Sequence, residues 1–200
     1  DRHCVPDSLC RYTDDNLGNS SPFTCDFNWS LLGAKMRQEK VEPLDGRKYV
    51  GTNYRITHHK DRGYVEVGYD QRQYLRMLVQ EFKEDLKSLK EQELRRRFYP
   101  LPVVEKQFHK EESVKSCERE AEAHAALPPG VWSDKCRHYI GGLLYVNQCS
   151  RPDLSYAVSH LSSFQDKWTV QNDSEIEWLF GYLMYTSNYM LKGKLYYKDL

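Results

Sequence analysis

Tyr64-Val65-Glu66-Val67-Gly68-Tyr69-Asp70-Gln71-Arg72-Gln73-Tyr74-Leu75-Arg76-Met77-Leu78-Val79-Gln80-Glu81-Phe82 changes its hydrophobic period partway along. Up to Gly68 the side chains alternate, as on a strand with one covered face. From Leu75 the apolar positions are Leu75, Leu78, Val79, Phe82, Leu86 and Leu89, the three-and-four spacing of one helix face. Asp70, with Gln73 three residues later, reads as a capping box that opens this helix. Pro100 ends it at the latest, because the residue before proline avoids the α region. The fold class expected is α+β.

Upstream, residues 49–56 read as a strand and 57–63 as a polar turn, so 49–68 forms a hairpin. Residues 29–40 suggest a short helix around Trp29, Leu31, Leu32 and Met36, and residues 1–30 are irregular. Downstream, residues 103–135 are charged and close on Pro128-Pro129-Gly130, the pattern of a mobile connector, partly helical near 118–126. Tyr139, Ile140, Leu143, Leu144 and Val146 then mark a helix face containing Gly141-Gly142. A mid-helix glycine costs about 1 kcal/mol against alanine, a cost accepted where another element packs close. Ser150-Arg151-Pro152-Asp153 has the serine cap, early proline and acid of a helix start. Leu154, Ala157, Val158, Leu161 and Phe164 form its stripe. Ser174 with Glu177 opens another helix, with Ile176, Leu179, Phe180 and Leu183 on one face, and Trp178 and Tyr182 beside them. Residues 194–197 read as a short final strand.

The 200 residues are 40% hydrophobic and 13% aromatic, which excludes a disordered chain. Formal net charge is zero, which argues against a free-standing nucleic-acid binder. The charge is unevenly placed, however. Residues 1–46 hold 5 basic and 8 acidic groups, whereas 47–76 hold 7 basic and 3 acidic, plus His58 and His59. The basic stretch contains Arg47, Lys48, Arg55, Lys60, Arg62, Arg72 and Arg76. An acidic segment before a basic one fits a metal site beside a phosphate-contacting surface, or simply two solvated faces. Six cysteines show no CxxC pair, as in reduced thiols of an intracellular protein, cytoplasmic or nuclear. No apolar run is long enough to span a membrane. The first residue is Asp1, as in a processed product or a fragment.

Tyr12-Thr13-Asp14-Asp15 carries the most chemistry. Two adjacent carboxylates after an aromatic suit the tip of a polymerase hairpin, where they hold Mg²⁺ against nucleotide phosphates. Val5, Leu9 and Cys10 supply little strand pattern before them, and a plain acidic turn is the alternative. His58, His59 and His124 read as isolated and solvated.

Taken in order, these landmarks resemble the reverse transcriptase of copia-type long-terminal-repeat retrotransposons. Tyr12-Thr13-Asp14-Asp15 is similar to the family's Tyr-x-Asp-Asp box, and Lys48-Tyr49-Val50-Gly51 to its aromatic-Leu-Gly strand. Gln73-Tyr74-Leu75-Arg76-Met77-Leu78 with Phe82 resembles its strand-then-helix segment, and Tyr99-Pro100-Leu101 partly matches its Thr-Pro-Leu. Tyr139-Ile140-Gly141-Gly142-Leu143-Leu144-Tyr145 is similar to its Gly-Ser-Leu-Leu-Tyr helix. Arg151-Pro152-Asp153-Leu154-Ser155-Tyr156-Ala157-Val158 is the closest single likeness. Trp178-Leu179-Phe180-Gly181-Tyr182-Leu183-Met184-Tyr185-Thr186 resembles the Leu-Arg-Tyr-Leu-Lys-Gly-Thr helix.

The resemblance implies a partial polymerase palm hairpin followed by a mostly helical thumb and connection region. Residues 1–68 would be partial palm, 69–102 a thumb-like helix and 103–135 a charged connector. Residues 136–200 would lead toward a ribonuclease H domain. Asp14 and Asp15 would be catalytic and would bind Mg²⁺ for two-metal nucleotidyl transfer, with Tyr12 near the primer terminus. Lys48, Arg55, Lys60, Arg62, Arg72 and Arg76 would contact an RNA/DNA primer–template through its backbone. The remaining partner would be the rest of the Pol polyprotein: fingers, the other palm carboxylate and ribonuclease H. Because that third carboxylate lies upstream of Asp1 in the family, the chain alone is expected to be inactive. A non-catalytic or decayed nucleic-acid-binding module is the second reading, and an unrelated α+β interaction protein the third.

Overall fold

In the computed structural model, residues 8–12, 15–19, 30, 34, 43–102, 124 and 126–199 are described. The chain divides into two compact units: Asp1–Asp70 with Met190–Leu200, and Gln71–Tyr189. It is an α+β protein. Of the helix expected at 29–40, Ser30 and Ala34 are described, both helical. The expected helix near 118–126 lies mostly outside the described residues.

The first unit contains two sheets. β1 (Ser8–Tyr12) and β2 (Asp15–Asn19) pair antiparallel, from Ser8 opposite Asn19 to Tyr12 opposite Asp15. The second sheet has the order β3 (Lys48–Tyr49), β4 (Thr52–His59), β5 (Tyr64–Asp70), β6 (Leu191–Tyr196), all antiparallel.

The strand expected over 49–56 is therefore two strands. Tyr49 pairs with Thr52 across a two-residue turn in which Val50 has φ 46° and Gly51 φ 75°. Positive φ at both central residues is what a two-residue hairpin needs to match strand twist. Valine is a poor residue for that conformation, so the sequence carries only half a turn signal. β4 also runs to His59, through residues expected to be turn, because His58 and His59 pair with Val65 and Tyr64. The real turn is one 3₁₀ loop, Lys60–Arg62, closed by Gly63 at φ 71°. The final strand forms, one to three residues earlier than expected, and its partner is β5.

The second unit contains α1 (Arg72–Lys90), α2 (Cys136–Cys149), α3 (Ser155–Ser162) and α4 (Val170–Tyr185). The apolar stripe of α1 is buried at Leu75, Leu78, Val79, Phe82 and Leu86, while Leu89 is exposed. Phe82 anchors the core: it stacks on Phe180 at 3.9 Å and on Trp132 at 4.5 Å, with Tyr139 edge-on at 5.0 Å. The segments expected to be separate, 69–102 and 136–200, thus share one core from α1 to α4. Gly142 lies against Leu78 and Tyr74, as a packed glycine should; Gly141 faces open space.

The helix ends differ from expectation. Asp70 is the last residue of β5 and pairs with Arg55 at 3.3 Å, so no capping box forms and Gln71 precedes the helix. α1 stops at Lys90, ten residues before Pro100: Glu91 turns left-handed and donates its N–H to the Lys87 carbonyl. Ser150 ends α2 rather than starting a helix, and its hydroxyl donates to Gln71 Oε1 at 2.8 Å. Pro152–Leu154 is a 3₁₀ turn before α3. α4 starts at Val170 under a capping box of Thr169 and Asn172, not at Ser174.

The stretch closing the expected connector is also part of the core. Pro129 bridges Thr169, and Gly130 donates its N–H to Trp168 O. Val131 and Trp132 donate backbone N–H groups to the Asp173 carboxylate at 2.7 and 3.1 Å. Apolar content alone missed this, because one fully buried tryptophan, Trp132, holds the segment.

Candidate functional site

The hairpin of β1 and β2 places Tyr12 at the end of one strand and Asp15 at the start of the next. The chain passes between them through Thr13 and Asp14, which lie outside the described residues. Among the described residues, this two-stranded sheet shares no ladder with the four-stranded one.

The four-stranded sheet assembles a charged face. Residues directly opposite one another in register share a face. Arg55, Gly68 and Lys192 therefore form one row, Thr57, Glu66 and Lys194 a second, and His59, Tyr64 and Tyr196 a third. Lys48, opposite Asn53, extends the same face. Lys60 and Arg62 stand exposed in the turn beside the third row. The opposite face is apolar and aromatic: Tyr54, Tyr69 and Leu191, then Ile56, Val67 and Gly193.

The acids on the charged face are already engaged. Lys192 Nζ donates to Glu66 Oε1 at 2.8 Å, and that bond holds the Glu66 carboxyl below its usual range. Arg55 takes Asp70. Lys194 lies 4.9 Å from the centre of the Tyr64 ring, which also packs on His59 and Tyr196. The Met190 side chain lies over Gly68 in the first row, where a Cβ would press on it. Such a face offers ammonium and guanidinium donors to a phosphate backbone, with Tyr196 at its edge as a stacking surface.

The sequence-derived basic residues divide between the two units. Lys48, Arg55, Lys60 and Arg62 belong to the sheet unit. Arg72 and Arg76 lie on the first turns of α1 in the helical unit, where Arg76 Nη2 donates to Asn188 Oδ1. The structure adds Lys192, Lys194 and Tyr196, more than a hundred residues downstream. Their signal was the alternation Leu191-Lys192-Gly193-Lys194-Leu195-Tyr196, but alternation does not say which strand is the neighbour. Among the described residues, no group of three His, Cys, Asp or Glu side chains could hold a metal ion.

In the helical unit the buried polar groups serve packing. Arg151 is 2% exposed and binds Asp153 and Thr186. Burial raises the Asp153 carboxyl, but hydrogen bonds from Arg151 and Tyr182 outweigh it and hold the group below its usual range. Burial, then the bond to Asp85, pushes the Tyr139 phenol far above its ordinary value. Lys135 Nζ sits 2.7 Å from Asp85. Of the helix aromatics, Tyr182 is buried, Tyr185 is exposed, and Trp178 lies under the Arg97 guanidinium at 3.9 Å. The thiols of Cys136 and Cys149 are free. No helix among the described residues is long and apolar enough to cross a membrane.

Comparison with protein-family models, characterised proteins and solved structures finds no match to this chain.

Proposed function

We propose that the chain is a segment of an RNA-directed DNA polymerase of the copia-type retrotransposon class. Tyr12–Asp15 is its palm box, the four-stranded sheet its primer–template surface, and α1 to α4 its thumb and connection helices. One observation carries the reading: Tyr12 and Asp15, the two ends of the Tyr-Thr-Asp-Asp tetrapeptide, face each other across a pair of antiparallel strands. An acidic tetrapeptide between paired strands, followed in the chain by a basic hairpin and an amphipathic helix, is the order that such a polymerase has.

Two carboxylates are hard oxygen donors suited to Mg²⁺. They are an incomplete set for two ions, so the 200 residues alone do not polymerise. What they do is bind: Lys48, Arg55, Lys192 and Lys194 hold the backbone of an RNA–DNA duplex without reading its bases. The rest of the Pol polyprotein supplies the third carboxylate and the fingers.

Nucleotide sequence flanking the coding segment tests the reading. An upstream palm carboxylate and fingers, with ribonuclease H sequence downstream, are expected; an intact reading frame without them refutes it. The engaged acids of the sheet favour a second reading, a module that binds nucleic acid and performs no chemistry. Anisotropy of a labelled RNA–DNA duplex measures that binding. Replacing Arg55, Lys192 and Lys194 with serine should flatten the log–log salt dependence by about one per lost phosphate contact. No binding at 25 mM salt (about a 20 Å screening length) would remove both readings of the sheet.

A further inference from the structure

Residues 92–99 leave α1 and cross α4 without regular structure, yet they are firmly held. The Arg95 carbonyl lies so close to Gly181 that no Cβ fits there. Arg97 N–H donates to the Gly181 carbonyl at 3.2 Å, and the Arg97 guanidinium covers the Trp178 ring. Trp178 Nε1 in turn donates to the Tyr99 carbonyl at 2.9 Å, and Phe98 packs edge-on to Tyr185 at 4.9 Å. This strap presents Arg95, Arg96, Phe98 and Tyr99 to solvent, the two aromatics 66% and 63% exposed.

None of Arg95, Arg96 and Arg97 forms an ion pair with a described residue, unlike Arg55 and Arg151. A cavity of about 690 Å³ opens beside the strap, walled by Arg95, Arg97, Gln92, Ser174 and Trp178. That volume lies within the range of small-ligand sites. Two acids also line it. Glu177 is engaged by Lys90 at 2.5 Å and by Trp132 Nε1 at 3.0 Å, which leaves Glu93.

We infer that this strap and cavity bind single-stranded nucleic acid, with phosphates at Arg95 and Arg96 and bases stacked on Phe98 and Tyr99. Unpaired guanidiniums call for an anion, and adjacent exposed rings call for flat π-faces; a single strand supplies both at nucleotide spacing. An acidic peptide would use the cations and leave the rings unused. The inference stands on the helical unit alone and does not depend on the polymerase reading.

The test is anisotropy of the full chain with a fluorescein-labelled twelve-nucleotide oligo-rU, between 25 and 200 mM NaCl. Replacing Arg95 and Arg96 with serine should weaken binding at least tenfold and reduce the log–log salt slope by about 1.4, at about 0.7 per phosphate contact for single strands. Replacing Phe98 and Tyr99 with alanine should weaken it roughly tenfold with the slope unchanged, as loss of stacking does. All these side chains are exposed, and matching thermal melts confirm intact variants. Unchanged affinity in both variants overturns the inference. So does loss with the arginine pair alone if polyglutamate competes as well as oligo-rU, since that is a bare cationic patch. Replacing Arg95 and Arg96 should leave binding of the labelled RNA–DNA duplex within twofold, so the sheet and the strap fail or stand separately.

Discussion

Arg151 reaches both carboxylate oxygens of Asp153, two residues along the chain, through Nε at 2.9 Å and Nη2 at 2.8 Å. Two further donors close on Thr186: Nη1 on the carbonyl and Nη2 on the hydroxyl. Tyr182 adds its phenol to Asp153 at 2.7 Å. The Arg-Pro-Asp sequence thus ties the turn before α3 to the end of α4. Removing one partner of a buried pair strands the other charge, at about 3–5 kcal/mol. Asp153→Ala should cost about 3 kcal/mol, the lower end, because the Asp153 side chain is itself 36% exposed. Urea unfolding measures it; a loss near zero would mean Arg151 finds another partner.

The same pair sets an acid limit. The folded Asp153 carboxyl lies below its ordinary value, so the unfolded chain takes up its proton first as pH falls. Its contribution is complete above the unfolded value of about 3.9 and disappears as pH drops through the folded value. The stability difference between the wild type and Asp153→Asn should therefore be constant from about pH 5 to 7 and shrink below about pH 4. A difference that grows on acidification would contradict the assigned direction.

Val50 occupies the left-handed region at φ 46°, where a Cβ costs about 1–2 kcal/mol. Asparagine tolerates that conformation and forms the preferred Asn-Gly turn with Gly51. Val50→Asn should stabilise the sheet unit by about 1 kcal/mol. Val50→Gly should gain less, because glycine also loosens the unfolded chain. Denaturant midpoints of the two variants would rank them.

Gly181 sits beneath the Arg95 carbonyl with no space for a side chain. Gly181→Ala should cost about 2–3 kcal/mol, as overpacking does. It should also lift the strap, uncovering Trp178 and shifting its fluorescence toward the red. A stable variant with an unchanged emission maximum would show that residues 92–99 are not held as described.

Much of the helical unit is legible in the chain. The stripe Leu75, Leu78, Val79, Phe82 and Leu86 is buried as its spacing requires, because helical periodicity is local and needs no knowledge of a partner. Helix ends were less legible. Asp70 and Ser150 carry good capping chemistry, but each spends its side chain on a distant group, Arg55 and Gln71. The working cap, Thr169 with Asn172, lacks the Glu or Gln that marks a capping box in sequence. Trp132 shows how one large side chain can draw an otherwise charged stretch into a core.

The sequence by itself determined the α+β class, the helix faces, the acidic tetrapeptide and the basic hairpin, all consequences of residue type and short-range period. Only the tertiary structure decided that Lys192, Lys194 and Tyr196 complete the charged face begun by Arg55. It alone decided that Arg97 is clamped onto α4 while Arg95, Arg96, Phe98 and Tyr99 beside it stay exposed. Strand partnership and the choice among competing hydrogen-bond partners depend on residues far apart in the chain, and no local pattern encodes which of several equally suitable partners will arrive.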